Sequence, residues 1–273
     1  MNNIKILVSC HKRSYVPEND IIKAIQVGAT KGRFDKVVYY DDDGENISHL
    51  NDRFNELTAQ YWAWKNMDAD YYGFFHYRRY MSMTHGSAWS GKMSVDSLDD
   101  GYISYFGLGE EKIREFIGDN DIIVPKFYVT ESNYQNYEGL NNCGHDIADY
   151  NYCLDFIRKN YPQYTDAINE YIHSKGAYYL NMYIMKKEIF FEYCEWLFPM
   201  LFAFDKQKDY SGLDWYRCRA PGLTAEKLFG IFFAHLRNKN PHLKHKDASI
   251  IFVHDTSIIP KSLRSGIKLI LRG

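Results

Sequence analysis

The sequence predicts an α/β fold in which a mainly parallel central sheet is flanked by helices. Three observations lead there. Short apolar runs end abruptly in polar residues, as buried strands do, and stretches with apolar residues at helical spacing lie between them. The 273 residues contain no Gly/Ser or Pro-rich linker and no internal repeat, which suits one domain with insertions.

The elements follow in order. Ile4 to Ser9 reads as a first buried strand and Lys36 to Tyr40 as a second, closed by Asp41, Asp42, Asp43 and Gly44. Asn51 to Asn66 carries Phe54, Leu57, Tyr61 and Trp64 at helical spacing, with Asn51 placed to cap the start. Tyr71 to Phe75 is a third strand running straight into His76, Tyr77, Arg78 and Arg79, and Asp121 to Val124 is a fourth ahead of Pro125. Helices are expected near Asp146 to Asn160 and Gln163 to Ser174, a strand over Ala177 to Met185, and a buried helix over Glu188 to Phe204. Gly222 and Thr224 introduce a helix to about Arg237, and Ser249 to Val253 is a late strand. In such a sheet the ligand crevice lies beyond the C-terminal strand ends. Those ends are Cys10 to Arg13, Asp41 to Asn46, His76 to Arg79 and Pro125 to Phe127.

Composition narrows the function. Lys plus Arg (33) nearly balance Asp plus Glu (35), so general nucleic-acid binding loses its electrostatic basis and any anion site must be local. An aromatic content of 17%, with 24 tyrosines, excludes disorder. Eleven of those tyrosines fall between Tyr128 and Tyr183, where flat faces and hydroxyls could make part of an acceptor groove. The five cysteines (Cys10, Cys143, Cys153, Cys194 and Cys218) are odd in number and widely spaced, as reduced cytosolic thiols are. The N-terminus lacks the pattern of a signal peptide, and no run of roughly 18 apolar residues could span a bilayer. Ser262 to Arg272 mixes basic and apolar residues, which suits either a short helix on an anionic membrane or an ordinary surface helix.

No GxGxxG, Walker loop, GxSxG or HExxH is present, so dinucleotide oxidoreductase, P-loop, elbow-type hydrolase and zincin readings lose their main support. Three segments remain. His76-Tyr-Arg-Arg79 at a strand end could be a cationic clamp for phosphate oxygens or a pair of surface arginines, and strand alternation would send the two arginines to opposite faces. Asp41-Asp-Asp-Gly-Glu-Asn46 could hold Mg²⁺ or Mn²⁺, could bond a ribose or base, or could be a solvated turn. Arg219-Ala-Pro-Gly-Leu-Thr-Ala-Glu226 reads as a Gly loop leading into a helix whose first turn holds Glu226, either a general base or a carboxylate placed by the helix dipole.

The succession Glu45 to Asn51, Glu56 to Asn66, Asp70 to Met81, Asn181 to Phe198 and Arg219 to Leu228 resembles a bacterial family of capsular and exopolysaccharide gene clusters. That family, long catalogued as a domain of unknown function, is taken to contain glycosyltransferases of a GT-A-like fold, some assigned as galactosyl or galactofuranosyl transferases. The resemblance implies a UDP-sugar donor, a lipid-linked oligosaccharide acceptor and cytoplasmic work at the inner membrane face. It implies a nucleotide-sugar half over residues 1–127, an acceptor half over 128–260 and a basic tail over 261–273. Cys10, His11 and Lys12 would line the nucleotide pocket, Asp43 and Asn46 would meet uridine or ribose, and His76, Arg78 and Arg79 would hold the diphosphate. Glu226 would be the base, and Asn181 and Arg219 would touch sugar or acceptor. The metal-binding DxD of such folds is replaced here by HYRR, so no Mg²⁺ or Mn²⁺ is expected to be required.

Overall fold

A computed structural model of the protein describes residues 2–84, 92–125, 127–140 and 145–257. The basic C-terminal stretch and Cys143 lie outside the described residues. The N-terminal part runs β1 (Ile4–Cys10), β2 (Ile22–Gln26), β3 (Tyr39–Tyr40), α1 (Asn51–Phe54), α2 (Leu57–Asn66), β4 (Tyr71–His76), β5 (Arg79–Met81) and β6 (Lys92–Val95). Then come α3 (Asp100–Tyr105), α4 (Glu110–Ile117), β7 (Ile122–Pro125), β8 (Phe127–Tyr128), α5 (Asn133–Gly139), α6 (Ile147–Asn160) and α7 (Thr165–His173). The chain continues through β9 (Gly176–Ala177), β10 (Tyr183–Lys186), α8 (Lys187–Gln207), α9 (Ala220–Lys239), β11 (His245–Ala248) and β12 (Ile250–Val253).

The central sheet has the order β11-β7-β10-β4-β1-β2-β3. Its pairings are parallel except at β10, which is antiparallel to both β4 and β7. The strand pleat divides the core. On β4, Tyr72 and Phe74 point to a face covered by α2, α6, α7, α8 and α9, whereas Tyr71 and Phe75 point to a face covered by α4, β5, β6 and β12. The apolar burial of both faces supplies the main driving force for folding. Of the tyrosines between Tyr128 and Tyr183, six (Tyr137, Tyr150, Tyr164, Tyr171, Tyr178 and Tyr183) are buried in the first of these layers, which removes them from any open groove. No helix among the described residues is long and apolar enough to cross a membrane.

Four elements differ from the sequence reading. The buried second strand is Ile22–Gln26, not Lys36 to Tyr40, of which only Tyr39 and Tyr40 pair and Val38 is exposed. Lys23 and Gln26 disguise it; Gln26 is buried only because its amide donates to Gly32 O and accepts from Phe34 N, both at 2.6 Å. The Asn51 to Asn66 helix breaks at Asn55, whose φ is 50°, and Asn51 braces that break through Asn55 O rather than capping a helix. The Ala177 to Met185 strand is interrupted by left-handed residues at Leu180 (φ 79°) and Asn181 (φ 50°). Finally, α9 begins at Ala220, so Gly222 belongs to its first turn rather than to a loop, and Glu226 lies in the second turn. A Cβ on Gly222 would come within 2.2 Å of Asn55 Nδ2, so the close approach of α9 to that break requires glycine.

Candidate active site

Register brings the site together. Ser9 of β1 lies beside His76 of β4, and because β10 runs antiparallel, its entry rather than its exit meets the same edge. The turn Tyr178 to Met182 therefore faces the C-terminal ends of β1 and β4.

His76 pairs with Arg79 across a tight hairpin formed by Tyr77 and Arg78. Arg78 is exposed, with Nε donating to Val253 O at 3.3 Å, while Arg79 is half-buried, its guanidinium 5.5 Å over the Phe252 ring and its charge acting on His76 and Glu56. His76 Nε2 lies 2.6 Å from Leu180 O; a carbonyl only accepts, so Nε2 carries the proton. Burial, with the Arg79 charge second, pushes the His76 pKa down to about 4, so the ring is neutral.

The left-handed turn is tied down on every side. The Leu180 N–H donates to Glu226 Oε2 at 3.2 Å. Asn181 is 2% exposed and its Nδ2 donates to Glu56 Oε1 at 2.6 Å and to Gly222 O at 3.2 Å, while its Oδ1 has no partner. Gln60 Nε2 donates to Asn181 O at 2.8 Å. Two carboxylates from different helical segments thus grip adjacent residues of one strained turn. Desolvation raises the pKa of Glu226, with the nearby Glu56 carboxylate adding to it against the Lys227 charge. Desolvation also raises the pKa of Glu56, against the bond from Asn181. A carboxyl group so displaced is suited to accept a proton near neutral pH.

The remaining sequence candidates fall in different places. The Cys10 side chain lies in the core, where burial pushes its thiol up to about 12, so only its backbone can reach a ligand. His11 and Lys12 are exposed about Tyr77, the His11 ring edge-on at 4.8 Å and Lys12 Nζ at 5.3 Å. Asp43 is exposed and pairs with Arg33 at 2.5 Å, and Asn46 donates to Asp42 O and Gly44 O, so their side-chain bonds stay within that part of the chain. Asp41 is fully buried and accepts from Gly28 N (2.8 Å), Ala29 N (3.0 Å), Ser48 Oγ (2.6 Å) and Thr58 Oγ1 (2.6 Å). It is a structural knot rather than a metal ligand. Arg219 donates from Nε to Asn55 Oδ1 at 2.9 Å and stacks over Trp215 and Tyr216.

A hard divalent cation takes oxygen ligands. The end of β4 offers a histidine already bonded to a carbonyl and two guanidinium groups, which does not fit one. Among the described residues no group of three or more His, Cys, Asp or Glu could hold a metal ion. Glu56 and Lys227 escape sequence reasoning. Each looks like an ordinary charged residue on a helix, and only the break at Asn55 and the approach of α9 bring them to the crevice.

Residues 5–239 match the family described as a domain of unknown function, DUF4422. No curated protein matches the chain. Among solved structures it is similar to the apo structure of WbbM, a bifunctional glycosyltransferase, with 33% identity and a TM-score of 0.88 over 97% of this chain and 48% of that one. The chain thus spans about half the length of that protein.

Proposed function

The chain belongs to the DUF4422 family, and on that premise we propose that it is a glycosyltransferase moving a hexosyl group from a nucleoside-diphosphate sugar to a hydroxyl of a glycan acceptor. One observation carries the reading: Glu226, a carboxylate of raised pKa, sits at the C-terminal strand edge beside Glu56, His76 and Arg79, in a chain similar to half of a glycosyltransferase. Glu226 takes the proton of the acceptor hydroxyl as its oxygen bonds to the anomeric carbon. The bond from that carbon to the diphosphate breaks, and its electron pair leaves with the nucleoside diphosphate. Arg79, and Arg78 at the mouth, meet the growing charge, a role that a metal fills elsewhere. His76, neutral and donating to Leu180 O, holds the turn rather than the charge.

The finer reading follows the sequence resemblance. The donor is a UDP-sugar, with galactose or galactofuranose favoured, and the acceptor is a lipid-linked oligosaccharide of capsular or exopolysaccharide assembly at the cytoplasmic membrane face. His11 and Lys12 line the nucleotide end, and Asn181, with its unpaired Oδ1, bonds a sugar hydroxyl. A metal-dependent sugar-phosphate transferase would need Asp41, Asp42 and Asp43 as ligands. Asp41 is spent on four hydrogen bonds and the other two on Arg33, which weighs against it.

The test is a thermal-shift and hydrolysis panel of UDP-, GDP- and dTDP-sugars with and without EDTA. UDP-sugars are expected to raise Tm and to be turned over equally in EDTA. If neither UDP nor any UDP-sugar stabilises the protein, the reading fails.

A further inference from the structure

Two buried or half-buried cations near the Glu226–Glu56 pair make no contact ion pair, although the Glu226 charge acts on Lys227 and the Arg219 charge on Glu56 from a distance. Lys227 on α9 is only 7% exposed, yet among the described residues its Nζ meets neither a carboxylate at ion-pairing distance nor a hydrogen-bond acceptor. It rests 3.5 Å from the centre of the Tyr179 ring and 5.6 Å from that of Tyr137. The Tyr137 ring also meets His145, at 5.4 Å, and His145 meets Tyr216 at 6.1 Å. Arg219 lies 5.4 Å over that same Tyr216 ring; its Nε is fixed by Asn55, and it too lacks a carboxylate partner among the described residues. His145 Nδ1 is buried with no hydrogen-bond partner. Removing cations from water with no carboxylate in contact is unfavourable, and cation–π contact together with the more distant Glu226 and Glu56 charges offsets only part of it.

We propose that Lys227, Arg219 and His145 form a phosphate-binding pocket, walled by Tyr179 and Tyr216 and backed by the buried Tyr137, that takes a diphosphate group. The chemistry fits: a guanidinium fork binds two phosphate oxygens, a buried ammonium supplies a point charge, and His145 supplies a ring nitrogen. Desolvation pushes Lys227 down to about 8, and desolvation with the Lys227 and Arg219 charges pushes His145 down to about 4. A bound dianion would raise both. The pocket is built from α5, α9 and the segments before α6, α9 and β10, and uses nothing from the β4 hairpin. It rests on the transferase reading for the source of its ligand, which is either the nucleotide sugar or the diphosphate of a lipid carrier.

Calorimetric titration with pyrophosphate, UDP and farnesyl diphosphate on the full chain, Lys227→Met and Arg219→Gln tests it, with Tm measured in parallel. Pyrophosphate is expected to bind the wild type and to weaken at least tenfold in both variants. Tm of Lys227→Met should hold or rise, because an apolar chain replaces a charge whose desolvation outweighs its attraction to Glu226. Whichever of UDP and farnesyl diphosphate weakens in step identifies the source. Equal pyrophosphate binding in all three proteins, or none in the wild type, overturns the pocket. If that happens while UDP-sugar is still turned over, the transferase reading survives without it. If the variants lose pyrophosphate but no nucleotide sugar is bound or turned over, the pocket stands and the transferase reading falls.

Discussion

Glu226 and Glu56 show how far single residues were legible. Glu226 stands out in the sequence because a glycine-bearing segment precedes it. Glu56 does not, because nothing in Asn51 to Asn66 announces the left-handed Asn55 that turns it inward. Replacing Glu226 by Gln keeps the shape and an acceptor for Leu180 N–H but removes the proposed base. Turnover is expected to fall by about 10²–10⁴-fold with UDP affinity little changed, measured by initial rates and titration. The wild-type rate should climb with pH to a midpoint above the ordinary carboxylate range, since the base must be ionised and its pKa is raised. The sign for stability is opposite. A carboxyl whose folded pKa lies above its unfolded value favours the fold when protonated, and that contribution is lost as pH rises through the folded value. Glu226→Gln should therefore melt higher than the wild type at pH 8 and show no such advantage at pH 4. Arg78 and Arg79 were legible as a pair but not singly; the hairpin decides that Arg79 is the half-buried one.

At the scale of elements, alternation of strands and helices revealed β1, β4, β7, β12, α6 and α8, whose apolar patterns are set by burial against the sheet. Elements completed by polar bonds were hidden. β2 owes its burial to the Gln26 amide, and the segment from β3 to α2 hangs on Asp41, whose carboxylate joins the Gly28 turn, Ser48 and Thr58. In sequence, Asp41 is one of three identical residues. Asp41→Ala would leave two buried backbone N–H groups without an acceptor and take from Ser48 and Thr58 their shortest one, a cost on the order of 3 kcal/mol. Thermal and urea denaturation should show it, and Asp43→Ala, at an exposed ion pair, should change stability by less than about 1 kcal/mol.

For the molecule as a whole, a net charge of -2 says nothing of where charge is concentrated. Arg79, Arg219 and Lys227 lie about the Glu56–Glu226 pair without a salt bridge among the described residues, while many other cations pair with carboxylates on the surface. UDP affinity should accordingly fall as NaCl rises from 50 to 500 mM, roughly tenfold or more, despite the negative overall charge. The aromatic excess divides in the same way. Most rings pack the helical layer, as in the run Phe74, Tyr183, Phe190, Tyr193 and Trp196, and only a few, such as Tyr77, Tyr179 and Tyr216, reach the crevice.

The reversed β10 bears on how such a protein can diversify. Parallel α/β folds commonly gain new specificities by lengthening the loops that leave their strands, because those loops overlie the site. On β10 the chain leaves at the far edge and enters α8 at once, Lys186 being followed directly by the first helical residue. The approach to β10 does overlie the site, but its backbone is clamped by Glu226, His76 and Gln60 and its Asn181 side chain by Glu56. Neither end of this strand can take up length. Variation in what the protein recognises is left to the segments after β1 and β3 and to the approach to α9, while the turn before β10 stays fixed.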